Sequence, residues 1–154
     1  MSWWDRNDQR EVDVVTGCFM LVRQKAIDAV GIMDEQFFMY GEETDFCYRF
    51  KQSGWKILFI PDAQIVHYGG QSSKSIRGEM LVQLRSSILH FMEKHYSSLE
   101  YRMSCLLVAL FFLIRLPVWL VLSLLSKTRR SEATYRAKSY VAGTRTALAK
   151  LFTF

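Results

Sequence analysis

The stretch MDEQFFMYGEETDFCYRFKQSGWKI, residues 33–57, mixes carboxylates with aromatic rings. The central residues, in order, are Tyr40, Gly41, Glu42, Glu43, Thr44 and Asp45. A helix that begins near Glu43 and closes at Gly54 explains part of this pattern. Acids in a first turn are stabilised by the helix dipole by about 0.3–1 kcal/mol each, and glycine is favoured just past a helix end.

The same helix accounts for several side chains further along this stretch. Asp45 and Arg49 are four residues apart and can pair across one turn. Phe46 and Phe50 share that spacing and would face a core. The helix explains less well why two adjacent acids follow a glycine. That arrangement also suits a general base held beside a substrate, so both interpretations stay open.

Around this stretch, residues 1 to about 75 alternate short apolar runs with helical segments. The β-like runs are 14–22, interrupted at Gly17, then 57–60, which Pro61 stops, and a third that begins at 65–66 and ends at Gly69 and Gly70. The helix candidates are 25–30, closing at Gly31, and 43–53. Strands alternating with short helices predict an α/β layer.

From about Ile76 the pattern becomes helical, and residues 104–126 form a long apolar run. About 20 such residues can cross a bilayer. Arg115 and Pro117 lie at its centre, and basic residues flank both ends, so charge gives no clear orientation. We expect a helical hairpin bent near Pro117, or an interfacial helix. A transmembrane span and a buried helix of a soluble protein are the alternatives.

The last segment, residues 135–154, predicts a basic amphipathic helix. Its apolar residues are Tyr140, Leu148, Leu151 and Phe152, and its cations are Arg136, Lys138, Arg145 and Lys150. Helices of this composition rest on anionic lipid surfaces.

The overall composition limits the class of protein and of partner. With 154 residues, the chain is long enough for one domain with a sizeable core. It is 50% hydrophobic and 14% aromatic, which favours a membrane contact. A net charge of +5 suits anionic partners. Three cysteines without metal spacing indicate a reduced setting, and the first residues do not resemble a signal peptide.

An ordered series of motifs across residues 12–96 resembles family 2 glycosyltransferases, most closely the bacterial rhamnosyltransferase-like members. The matching residues are Gly17 with Cys18, Met33 to Glu35, Phe37 with Phe38, Tyr40, Glu42 to Asp45, Cys47 to Arg49, Gly54 with Trp55, and His67. The resemblance implies the C-terminal part of a GT-A, Rossmann-like α/β catalytic domain in residues 1–75. Residues 76–154 would form a helical, membrane-associated region.

The resemblance also implies an inverting sugar transfer from a nucleotide sugar, with dTDP-rhamnose as the suggested donor. The second acid of the pair, here Glu43, would deprotonate the acceptor hydroxyl, although the family's usual residue is aspartate. Glu42 could act instead or brace the acceptor. Asp45 completes the implied catalytic group. The implied substrate-binding residues are Gly17, Tyr40, Arg49, Trp55, Gly69, Gly70 and Ser72.

His67 occupies the position at which some relatives bind a divalent metal, Mg²⁺ or Mn²⁺, on the donor diphosphate. The alternative is a hydrogen-bonded structural histidine. The glycines and serines that follow could close over the diphosphate or form an ordinary linker.

One expected feature of the family does not occur in the sequence. No Asp-x-Asp with apolar flanks is present, and the nearest match, residues 5–8, has the wrong spacing. We therefore expect the acceptor-side half of a larger enzyme, inactive as this isolated fragment.

The function we expect is glycosyl transfer to a lipid-linked or polysaccharide acceptor at the cytoplasmic face of the bacterial inner membrane. The implied partners are a nucleotide sugar, that acceptor and an anionic membrane surface, with no nucleic acid. The alternative is a non-catalytic membrane adaptor, in which the acidic stretch is structural.

Overall fold

The computed structural model describes residues 4–68 and 76–152. The chain divides into two compact units between Gly69 and Gly70, a few residues before the predicted boundary at 75 and 76. The elements, in order, are β1 Arg10–Glu11, α1 Gln24–Val30, α2 Glu42–Gln52, β2 Leu58–Phe59, α3 Arg77–His95, α4 Ser98–Leu125 and α5 Arg130–Leu151.

The first unit is built on the packing of α1 against α2. Ala26 of α1 and the rings of Phe46 and Phe50 of α2 are buried together. The two ring centres lie 4.2 Å apart, and Trp55 packs against the same cluster. The prediction that these two phenylalanines face a core is confirmed.

The end of α2 is fixed by its backbone. Gly54 has a φ of 81°, a left-handed conformation that glycine adopts without a side-chain clash. Its N–H bonds the carbonyl of Lys51 at 3.0 Å, and the N–H of Trp55 bonds the carbonyl of Phe50 at 2.9 Å. These two bonds form a Schellman motif. The sequence therefore predicted the end of this helix correctly, at the glycine.

The one sheet in the described residues pairs β1 with β2 in antiparallel register, Arg10 opposite Phe59. The run 57–60 thus contains a strand, but the strands expected in 14–22 and 65–66 are wrong. A strand needs a hydrogen-bonded neighbour, and the described residues offer these runs none. Leu21 and Val66 are accordingly 99% and 79% exposed. With one short ladder, the GT-A assignment stays a prediction.

The second unit is a bundle of α3, α4 and α5 around one apolar core. Leu89, Tyr101 and Phe112 are its largest fully buried apolar side chains. The hydroxyl of Tyr101 donates to the carbonyl of Lys150 at 3.3 Å, near the start of α4 and the end of α5. Residues late in α4 contact residues early in α5, so the two helices are antiparallel.

Helix α4 runs without interruption through Pro117 for 28 residues. The expected hairpin bent at that proline is therefore wrong. The chain turns instead between α4 and α5. The ring of Tyr140 packs against the rings of Phe112 and Trp119, which lie on either side of the proline. The distances between ring centres are 5.5 and 6.3 Å. These contacts hold both halves of α4 in line although proline removes a helical hydrogen bond.

By length and composition, α4 could cross a membrane. At 1.5 Å per residue it is about 42 Å long, more than the roughly 30 Å of a hydrocarbon core. Of its most apolar window, 22% is buried inside the protein. Most of this surface is therefore apolar and open, unlike that of a helix at the centre of a soluble core.

Helix α5 packs on α4 through small residues. Gly143 lies so close to Phe112 that an added Cβ would meet its ring at 2.5 Å. The prediction of an apolar face that rests on lipid is wrong for Tyr140, which is 5% exposed inside the bundle. Leu148 and Phe152 are exposed, as that prediction requires. Tyr140 packs inside the bundle because the Ala, Gly and Thr residues of α5 let its backbone approach α4 closely.

Candidate active site

The start of α2 follows an unusual backbone. Tyr40 has a φ of 67° and Gly41, the N-cap, a φ of 90°. A left-handed conformation is uncommon for a residue with a side chain, and such strain of about 1–3 kcal/mol persists mainly where surrounding structure enforces it. This turn sets Glu42 and Glu43 at the first two positions of the helix.

Both of these glutamates leave a carboxylate oxygen unsatisfied. The Oε2 atoms of Glu42 and Glu43 are buried and accept no hydrogen bond within the described part of the chain. A buried acceptor without a partner costs about 1–3 kcal/mol, and more when it is charged. Glu42 and Glu43 are adjacent in the first turn of α2, where neighbouring side chains leave the helix in different directions. A carboxylate oxygen without a partner can accept a proton, or a hydrogen bond from a hydroxyl group.

Glu43 is covered by the segment that contains Gly17. An added Cβ at Gly17 would lie 3.6 Å from the Cβ of Glu43, an ordinary contact distance. One turn further along α2, burial raises the pKa of the Cys47 thiol, a backbone hydrogen bond from Val15 lowers it, and the charge of Glu43 raises it. The structure therefore brings together two predicted site residues, Gly17 and Glu43.

Asp45 and Arg49 form an ion pair in the same helix. The Asp45 side chain is fully buried, and its Oδ2 accepts a 2.8 Å hydrogen bond from Nε of Arg49. The terminal nitrogens of that guanidinium donate to the carbonyls of Val30 and Ile32 at 2.6 and 2.7 Å. These contacts fasten α2 to the segment after α1. A catalytic role for Asp45 and a substrate-binding role for Arg49 stay predictions.

The remaining predicted site residues are scattered. Tyr40 and Trp55 are half-buried, the latter against the core of the first unit. His67 is exposed in a segment without regular structure. The predicted loop residues Gly69, Gly70 and Ser72 lie outside the described residues.

A metal site is not complete within the described residues. They contain no group of three or more His, Cys, Asp and Glu side chains placed to hold an ion. His67 as a metal ligand, and the Mg²⁺ or Mn²⁺ itself, stay predictions.

Two contacts of the site could not be found by sequence reasoning. The spacing of Asp45 and Arg49 predicted their pairing, but carbonyl acceptors such as that of Ile32 carry no side-chain signature. The position of Gly17 over Glu43 joins residues far apart in the chain, for which the motif order was the only signal.

Comparison with known proteins finds rhamnosyltransferases among the similar chains. The chain is 28% identical over 88 residues to the N-acetylglucosaminyl-diphospho-decaprenol L-rhamnosyltransferase of Mycobacterium tuberculosis. It is 34% identical over 64 residues to the rhamnosyltransferase WbbL of Escherichia coli K12. The chain is glycosyltransferase-like.

This relationship is partial in both directions. The two matches cover 56% and 42% of this chain, and 29% and 24% of the relatives. The chain therefore spans less than a third of the length of these rhamnosyltransferases. No family model matches it, and no solved structure does.

Proposed function

We propose that this chain is the acceptor-side part of an inverting GT-A glycosyltransferase and that Glu43 is its general base. The observation that carries the proposal is the pair of buried, unsatisfied carboxylate oxygens at the strained start of α2. The rhamnosyltransferase relatives make sugar transfer the chemistry that best fits this pair.

In this mechanism, a carboxylate oxygen of Glu43 accepts the proton of an acceptor hydroxyl. The hydroxyl oxygen attacks the anomeric carbon of the sugar as the bond to the nucleoside diphosphate breaks. The diphosphate leaves with the bonding electron pair, and the configuration inverts. Glu42 would hold the acceptor by a second hydrogen bond. Asp45 and Arg49 would act as positioning residues, because their contacts fix the helix that carries both acids.

The substrates we propose are a nucleotide sugar, with dTDP-rhamnose as the leading donor, and a lipid-linked or polysaccharide acceptor. The names of the relatives support the sugar and, in one case, a lipid diphosphate acceptor. Donor binding would require residues beyond those of this chain. A divalent metal, when bound, would offset the charge of the leaving diphosphate.

We place this activity at the cytoplasmic face of the bacterial inner membrane, with α4 along the surface. Helix α5 packs antiparallel on α4 from Arg136, beside Trp119, to Lys150, beside Tyr101. Lys138 and Arg145 lie between these and are exposed. A spanning α4 would draw these cations into hydrocarbon, at about 2.5–3.5 kcal/mol each on insertion scales. A helix pair that lies flat keeps them near anionic headgroups.

The test uses membranes of the bacterium that encodes the chain. Radiolabelled dTDP-rhamnose is supplied, and label is measured in the lipid-extractable and polysaccharide fractions. Deleting the coding sequence should abolish one labelled product, and restoring it should return that product. Unchanged labelling after deletion would overturn rhamnosyl transfer. Membrane binding without any transfer is the outcome that the adaptor alternative predicts.

A further inference from the structure

Two guanidinium groups share one aromatic ring on the second unit. The central carbon of Arg85, from α3, lies 4.2 Å from the ring centre of Phe111, and that of Arg115, from α4, lies 4.0 Å from it. Because both central carbons lie near the same ring centre, the distance between them is at most the sum of these two distances. Each contact is a cation–π interaction, which attracts one cation but leaves the repulsion between the two unrelieved.

Neither arginine has a carboxylate partner within the described residues. The Nε–H of Arg85 is buried and donates no hydrogen bond there. Arg115 donates one bond, at 3.0 Å, to the carbonyl of Phe111 in its own helix. Most N–H donors of the two guanidinium groups make no hydrogen bond to a described residue. Two arginines that contact one ring and keep N–H donors without a partner indicate a site for an anion.

Exposed apolar side chains lie on the same helix faces as these two arginines. Ile88 lies three residues after Arg85 on the same face of α3, and Val118 has the same relation to Arg115 on α4. Their exposed fractions are 37% and 57%. An anion that also carries an apolar chain would fit this surface better than a small soluble ion.

We propose that Arg85 and Arg115 bind the phosphate group of an anionic membrane lipid beside the ring of Phe111. The planar forks of arginine match phosphate oxygens two at a time, which a lysine ammonium cannot do. One acyl chain would run along Ile88 and Val118. The site is a specific lipid contact in the second unit and does not depend on glycosyl transfer.

The test compares purified full-length chains in flotation with vesicles of phosphatidylglycerol and phosphatidylcholine. The double variant Arg85→Lys/Arg115→Lys keeps both positive charges but loses both planar guanidinium groups with their paired N–H donors. Its affinity for these vesicles should be about tenfold lower, the worth of one charge-assisted hydrogen bond. The matched control, Arg23→Lys, changes an exposed arginine of the first unit in the same way and should bind like the parent.

Equal vesicle affinity of the double variant and the parent would overturn the site. If the double variant fails to fold, Arg115→Lys alone decides the question, because Arg115 is exposed. Inorganic pyrophosphate distinguishes the source of the phosphate. If it raises the unfolding temperature of the parent but not of Arg115→Lys, while vesicle binding is equal, the ligand is soluble and the lipid assignment is overturned.

Discussion

The fully buried carboxylate of Asp45 accepts a 2.8 Å hydrogen bond from Nε of Arg49, one helical turn away. The same guanidinium reaches the carbonyls of Val30 and Ile32. One side chain thus joins α2 to the end of α1 and to the segment that follows. The position of the acids in the first turn of α2 depends on this link.

Breaking the ion pair should therefore destabilise the first unit. Asp45→Asn removes the charge that Arg49 faces and should lower the free energy of unfolding by about 3 kcal/mol, as for other buried pairs. Urea unfolding measures the change. Asp13→Asn is the control, because its pairing with Lys51 is exposed and worth at most about 1 kcal/mol. Equal effects of both substitutions would show that the Asp45 pair is not structural.

The contact between Gly143 and Phe112 predicts a second loss of stability. In Gly143→Ala the new Cβ would overlap a fully buried ring, so we expect a loss of about 1–3 kcal/mol despite alanine's better helix propensity. The double variant Gly143→Ala/Phe112→Leu should lose less than the two single changes together. Thermal unfolding, monitored by circular dichroism, checks both expectations. If the double variant loses the sum of the two single losses, the predicted contact between Gly143 and Phe112 is contradicted.

Gly17 offers a test of the approach to Glu43. Gly17→Ala adds a Cβ at ordinary contact distance and should be tolerated. Gly17→Val adds two further methyl groups on the Cβ that faces the stem of Glu43 and should reduce sugar transfer about tenfold, with little change in stability. Initial rates in membranes compare the two variants. If valine and alanine give the same rate, the substrate does not pass this position.

The cysteines should differ in reactivity. All three are free thiols, with Cys18 exposed and Cys47 and Cys105 buried. Burial raises the pKa of Cys47, so little thiolate forms at neutral pH. A thiol reagent should modify Cys18 alone in the folded chain and all three in denaturant. Rapid modification of Cys47 in the folded protein, detected by mass spectrometry, would contradict its burial.

The helices could be predicted more closely from the sequence than the sheet. Gly31 and Gly54 mark the ends of α1 and α2, because a glycine tolerates the positive φ found there. Strands in 14–22 could not be judged, because pairing depends on neighbours that the pattern does not specify. The predicted bend at Pro117 was wrong for a related reason. Contacts of Tyr140 with residues on both sides of the proline outweigh the tendency of proline to break a helix.

The roles of the candidate site residues stay predictions. The two adjacent acids were identified from their position after Gly41, and their unsatisfied oxygens fit a ligand-binding role. The second guanidinium on Phe111 was not foreseen, because Arg85 and Arg115 lie on different helices and meet only in the folded bundle.

The most direct test of the central claim is the rate of sugar transfer by Glu43→Gln, introduced at the native locus and assayed in membranes. Glutamine keeps the shape and removes the proton acceptor, so the rate should fall by about 10²-fold or more. Glu43→Asp should retain much of the activity, and Glu42→Gln should lose less than Glu43→Gln. A near-normal rate for Glu43→Gln, with equal amounts of folded protein, would contradict Glu43 as the base.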